Sequence, residues 1–140
     1  MTNIMEEVRW FLRTYPPLAE GKLHVDFLPE EARSYSVDAV PAKEIVRSYV
    51  DGSTHRQFLF VVASREFFGD EVRQQLDNLD FYNGFSEWLR KQTMTGQLPD
   101  LGAGRKAIAI ETTTIGYVLS TEADRARYQI QCRMDFLQVK

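Results

Sequence analysis

Tyr128-Gln129-Ile130-Gln131-Cys132-Arg133-Met134-Asp135-Phe136 alternates apolar and polar residues without a lapse. Tyr128, Ile130, Cys132, Met134 and Phe136 point one way, and Arg127, Gln129, Gln131, Arg133 and Asp135 the other. The segment therefore reads as a strand with one buried and one wetted face. Its expected partner is the arm just upstream, so that Lys106 to Ser120 and Arg125 to Val139 form a hairpin. A second hairpin is expected where Glu44 to Val50 and His55 to Arg65 flank Asp51-Gly52-Ser53-Thr54, because Asp and Gly tolerate the positive φ of a tight turn. Within its second arm Phe58-Leu59-Phe60-Val61-Val62 does not alternate, as befits a central strand covered on part of both faces.

Outside the hairpins the period changes. Ile4, Met5, Val8, Phe11, Leu12 and Tyr15 lie at helical spacing, with Thr2 or Asn3 as cap, Glu6 and Glu7 in the first turn and Pro16-Pro17 as a stop. Leu23 to Phe27 alternates like a strand. Residues 28 to 43 read as a loop with one extended piece at Tyr35 to Val40. A long helical region runs from about Asp70 to Thr95, with Val72, Leu76 and Leu79 on one stripe and Phe81, Phe85, Trp88 and Leu89 on another. Gly84 and the Asp80-Phe81 junction suggest a kink or two abutting helices, and Gly96 is a plausible C-cap. Gln97 to Arg105 is a loop rich in Gly and Pro. The predicted class is α+β: an antiparallel sheet of two hairpins plus a strand, with N-terminal and central helices packed on one face, in a single domain over residues 1–140.

Composition narrows the function. The 140 residues are 44% hydrophobic and 26% charged, ordinary values for a compact soluble domain. Seventeen Lys and Arg against 20 Asp and Glu give net −3, which argues against a dedicated duplex-binding domain. One cysteine, Cys132, excludes a disulfide framework and a multi-cysteine zinc site. Neither a signal peptide nor a membrane span is expected, since the longest apolar run, Phe58 to Ala63, is too short for a bilayer. The expectation is an intracellular protein with no cofactor and no membrane partner.

Catalytic patterns are sparse. Gly102-Ala103-Gly104 precedes a strand, so it cannot aim helix amides at a phosphate. His24 and Asp26 are two apart on one expected strand, but no second His or Cys completes a metal site. His55, Ser53 and Asp51 share one turn, where nucleophile, base and orienter cannot be arrayed. Glu30, Glu31 and Asp70-Glu71 lie in loops or at a helix start, and for Asp70 helix capping is the expectation. Cys132, mid-strand on the apolar side, is expected to be buried and inert. Phe81, Tyr82, Phe85 and Trp88 fit core packing better than a stacking platform.

Five stretches carry a resemblance: Tyr49-Val50-Asp51-Gly52-Ser53, Arg56-Gln57-Phe58-Leu59-Phe60, Ala63-Ser64-Arg65-Glu66-Phe67, Leu98-Pro99-Asp100-Leu101-Gly102 and Ala126-Arg127-Tyr128-Gln129-Ile130-Gln131-Cys132-Arg133. Together they resemble the bacteriophage minor capsid proteins of phages and prophages of Gram-positive bacteria. Members of that family are similar to tail terminator (tail completion) proteins, which form a ring, commonly hexameric, that caps the tail tube and receives the head connector. The resemblance implies a non-enzymatic virion protein of the neck, assembled in the host cytoplasm, with the major tail tube protein, the head connector or stopper and copies of itself as partners. DNA would only pass through the lumen, and net −3 is compatible with a conduit that does not grip it. The surfaces expected to join subunits are the outward face of the last strand, with Arg127, Gln129, Gln131 and Arg133, and the loop bearing Leu98, Asp100 and Arg105. The alternatives are a head-side stopper, a minor capsid decoration protein or a small enzyme of unknown type. A drug-resistance acetyltransferase finds no support, since no histidine pair precedes Asp51-Gly52.

Overall fold

A computed structural model describes residues 3–19, 23–69, 71–122 and 124–140, all but the side chain of Gln74 among them. Two strands of fourteen residues form its axis, β4 (Thr54–Phe67) and β7 (Arg125–Gln138). They pair antiparallel over their whole length, from Thr54 opposite Gln138 to Phe67 opposite Arg125. Each is flanked on its other side by two shorter strands. β2 (Ser34–Ala39) and β3 (Ile45–Ser48) share the free side of β4, and β5 (Arg105–Thr112) and β6 (Tyr117–Glu122) share that of β7. β1 (Leu23–Val25) completes one sheet of seven strands by pairing with β2.

The α+β class holds, with two corrections to the sheet. The sheet is mixed, because β1 runs parallel to β2. The short connection that this requires passes through two residues in the left-handed region, Asp26 (φ 53) and Arg33 (φ 64). The expected arm from Lys106 to Ser120 is two strands, not one: β5 follows β7 to Cys132, the chain leaves the ladder at Thr113, and β6 rejoins opposite Gln129. Gly116 explains the excursion, since a Cβ there would lie 2.4 Å from that of Tyr82. Asp51-Gly52 does turn the β3–β4 hairpin, with Gly52 at φ 91 and the alkyl chain of Lys140 against it.

The helices cover one face of the sheet. α1 (Ile4–Leu12) is capped by Asn3, whose Oδ1 accepts the Met5 amide at 2.9 Å; the alternative cap, Thr2, lies outside the described residues. Pro16-Pro17 does not end this helix but opens a second short one, α2 (Pro16–Ala19), where the missing proline N–H costs nothing. α3 (Val72–Thr95) is one continuous helix through Gly84, not two abutting ones. That glycine serves packing instead, because the Tyr15 hydroxyl occupies the place of a side chain. Gly96 ends α3 at φ 76 as expected, whereas the capping role expected of Asp70 falls outside the described residues.

Between helices and sheet lie Val8, Leu12, Tyr82, Phe85 and Leu89 against Val37, Phe60, Val62, Ile130, Met134 and Phe136. Cys132 is buried among them, and burial pushes its thiol up, away from the reactive thiolate. Phe81 and Trp88 are half-buried, Trp88 between Phe11 and Tyr15. The expected stripe of Val72 and Leu76 is instead mostly exposed.

Candidate functional site

Alternation along β7 sends Arg127, Gln129, Gln131, Arg133 and Asp135 to the face that carries no helix. Because β7 is central, these side chains reach partners on both sides. Arg127 crosses β4 to Asp38 of β2, at 3.0 Å. Gln129 and Gln131 both donate to the Tyr117 hydroxyl of β6, at 2.6 and 3.1 Å. Arg133 pairs with Glu111 of β5 and, at 3.2 Å, with Asp135, whose other oxygen meets His55 of β4 at 3.1 Å. The Glu111 hydrogen bond, then the charge of Asp135, holds the Arg133 guanidinium above its usual range, so it stays a cation.

This face is less wet than its pattern predicts. Gln129 is buried, as are Ala63 and Ser36 beside it, because Leu28 folds over from the β1–β2 connection onto Val61 and Ala63. Of the four expected contact residues on the strand, Arg127, Gln129 and Arg133 are engaged within the subunit, and Gln131 is the exposed one. The ladder makes a stiff polar plate whose hydrogen-bonding capacity is largely satisfied at home.

Leu98, Asp100 and Arg105 lie elsewhere, at the end of the sheet where β4 and β5 begin. The loop from α3 to β5 is pinned, not open as its glycines suggest: Leu101 is buried in the core, Leu98 packs against it, and Pro99 is buried. Asp100 accepts the Gly102 amide at 3.0 Å, and Gly102 and Gly104, both at positive φ, turn the chain into β5. Between this loop and the start of β5 opens a recess of about 710 Å³, lined by Leu98, Pro99, Ile108 and Leu137 with Asp100 and Lys106 among its polar residues. Arg105 borders it.

Two features were not foreseen. Residues Pro41 to Val50 are exposed at every position, although Ile45, Val46, Tyr49 and Val50 are apolar. The signal was present: four apolar residues crowd a short arm with too few positions to alternate. On the inner face, a polar cluster interrupts the core. Tyr82 donates to the Tyr128 carbonyl at 3.1 Å, which leaves Ser64 to donate to the Tyr82 hydroxyl at 2.5 Å. Asn78 donates to the Phe67 carbonyl at 2.9 Å. Nearby Glu66 is only 8% exposed, and burial raises its carboxyl from 4.5 to about 7, against a smaller opposing pull from Arg33.

His24 and Asp26 do not form the expected strand pair, since β1 ends at Val25 and Asp26 turns to accept the Ala39 amide at 2.9 Å. Among the described residues, no three His, Cys, Asp or Glu converge as metal ligands, and no helix is long and apolar enough to cross a membrane. No protein-family model matches this sequence, and no curated protein matches it significantly. The edges of the sheet carry uncovered apolar side chains, Ile45, Val46, Ile108, Val118 and Leu119 among them.

Proposed function

We propose that this chain is a structural subunit of the phage head–tail junction, a tail terminator that forms a homo-oligomeric ring, most simply a hexamer, on the tail tube and receives the head connector. The observation that carries the reading is the placement of its uncovered apolar residues. Alongside exposed residues elsewhere such as Trp10, Phe27, Val72 and Met94, two groups sit on opposite edges of one sheet: Ile45, Val46, Tyr49 and Val50 on the side of β3, and Ile108, Val118 and Leu119 on the side of β5 and β6. A ring subunit needs two different patches on opposite flanks, since neighbours meet head to tail and the rotation must close. The family resemblance of the Asp51-Gly52 hairpin, the Leu98–Gly102 loop and the last strand points to the same role. In this reading the β7 face serves as the stiff plate between the flanks and offers Gln131 for contact, while the pinned Leu98–Arg105 loop belongs to one flank.

Deletion of the gene in a producing phage tests the role. The expected result is filled heads beside separate tails of irregular length. Separate tails of regular length would move the protein to the head side as a stopper, and normal joined particles would overturn a junction role altogether.

A further inference from the structure

Resting on that ring reading, we infer that the tip of the β3–β4 hairpin of one copy seats in the recess beside the α3–β5 loop of the next. The hairpin carries Val50, the most exposed large apolar residue among those described at 109%, with Tyr49 and Val46 beside it at 42% and 48%. The recess offers about 710 Å³ of mainly apolar wall open to solvent. A protrusion of this kind is a liability in a free monomer and an anchor once it fills a pocket.

Position supports the match. Thr54, which leaves the turn, and Arg105, which leaves the loop, both pair with Gln138 of β7. Knob and recess therefore lie at the same end of the sheet, separated across its width by β4 and β7. With the strands set along the ring axis, a rotation without rise brings one flank to the other, and the contact closes as a ring instead of climbing as a filament. Charge supports it too. The hairpin tip carries Asp51, and the recess carries Arg105 and Lys106 against one anion, Asp100, so the tip carboxylate meets a net positive wall. Ser53 donates to Asp51 from both hydroxyl and amide and holds its carboxyl below the usual range, which keeps the tip anionic.

The edges themselves favour side-chain docking over strand addition. The ladder register slips at Val46 in β3 and at Ile108 in β5. Such irregularities spoil an edge as a template for another strand and re-aim the side chain there, here an exposed apolar one in both cases.

The test mixes two full-length variants, Val50→Cys and Ile108→Cys, with a short thiol-reactive bifunctional cross-linker; the native thiol of Cys132 is buried and silent. Both positions are exposed, and unchanged melting temperatures verify the folds. The expected product is a cross-linked dimer in the mixture, little in either variant alone, and a ladder of oligomers from the double variant. Asp51→Lys should cut the yield severalfold, and Lys106→Asp in the partner should restore it. Absence of the mixed product at high concentration, or equal product from Val50→Cys alone, overturns the inference. The ring reading is judged separately on particles: a ring on tails without this cross-link leaves the ring standing and moves its contacts elsewhere. The cross-link together with normal joined particles after gene deletion keeps the contact and removes the junction role.

Discussion

On the inner face of β7, Ile130, Met134 and Phe136 are closed off by α1 and α3; one residue away, Arg127, Gln129 and Arg133 meet no helix and are held by side chains of the sheet itself. The same strand thus supports two kinds of order. Burial of apolar area dominates the first, at roughly 25 cal/mol per Å² removed from water. The second rests on charge-assisted and amide hydrogen bonds, each worth little net because water offers equivalent partners when the chain unfolds. The inner face therefore carries most of the stability, and the outer face adds cross-strand ties.

The strongest way to break this comparison is Phe85→Ala. Emptying a fully buried aromatic site should cost about 3–5 kcal/mol by urea unfolding, and a loss below about 1 kcal/mol would make the two faces equivalent. Glu66 is the exception on the inner face, and it sharpens the contrast. Its carboxyl is raised from 4.5 to about 7 in the fold, so the native state prefers the protonated form. The associated stability is fully present below the unfolded value of 4.5, declines as pH rises through 7, and is gone above. Glu66→Gln should accordingly stabilise the protein by about 3 kcal/mol at pH 8 and by almost nothing at pH 4. A flat difference across that range would mean that the carboxyl is solvated.

On the outer face the effects shrink. Arg127→Ala strands Asp38, whose Oδ1 has no hydrogen-bond partner among the described residues, and should cost about 1–2 kcal/mol. The loss should lessen in high salt, unlike that of Phe85→Ala. Gln131→Ala should stay within about 0.5 kcal/mol, because Gln131 is exposed and the Tyr117 hydroxyl keeps its bond from Gln129. A larger loss would make the amide pair a structural unit.

The features legible in the sequence were those set by local chemistry. The period of two in β7, the Asp51-Gly52 turn, the Asn3 cap and the Gly96 stop each follow from a few neighbouring residues. The misread features depend on a distant partner. Gly84 looks like a helix breaker until Tyr15 is placed against it, and Gly116 looks like part of a strand until Tyr82 excludes a side chain there. The parallel pairing of β1 is fixed by where α1 delivers the chain, with Arg9 donating to the Leu23 carbonyl at 2.7 Å. At the candidate site, the sequence identified Arg127, Gln129 and Arg133 as hydrogen-bonding groups but could not reveal that Asp38, Tyr117 and Glu111 already satisfy them. The Glu44 to Val50 arm was legible as a strand, which the structure confines to Ile45–Ser48, while its exposure on every residue was not.

The full-length pairing of β4 with β7 also sets the order in which the molecule can be made. The rung nearest the connection joins Phe67 to Arg125 and the farthest joins Thr54 to Gln138, with the whole of α3 in between. A nascent chain emerging from the ribosome presents β4, with Phe58 to Val62, long before its mate exists. Every contact between them closes a long loop, so the central pairing of the sheet is a late and slow step. During that interval β2 and β3 can already line one edge of β4, and the edge awaiting β7 is the one on view to chaperones and to other nascent copies.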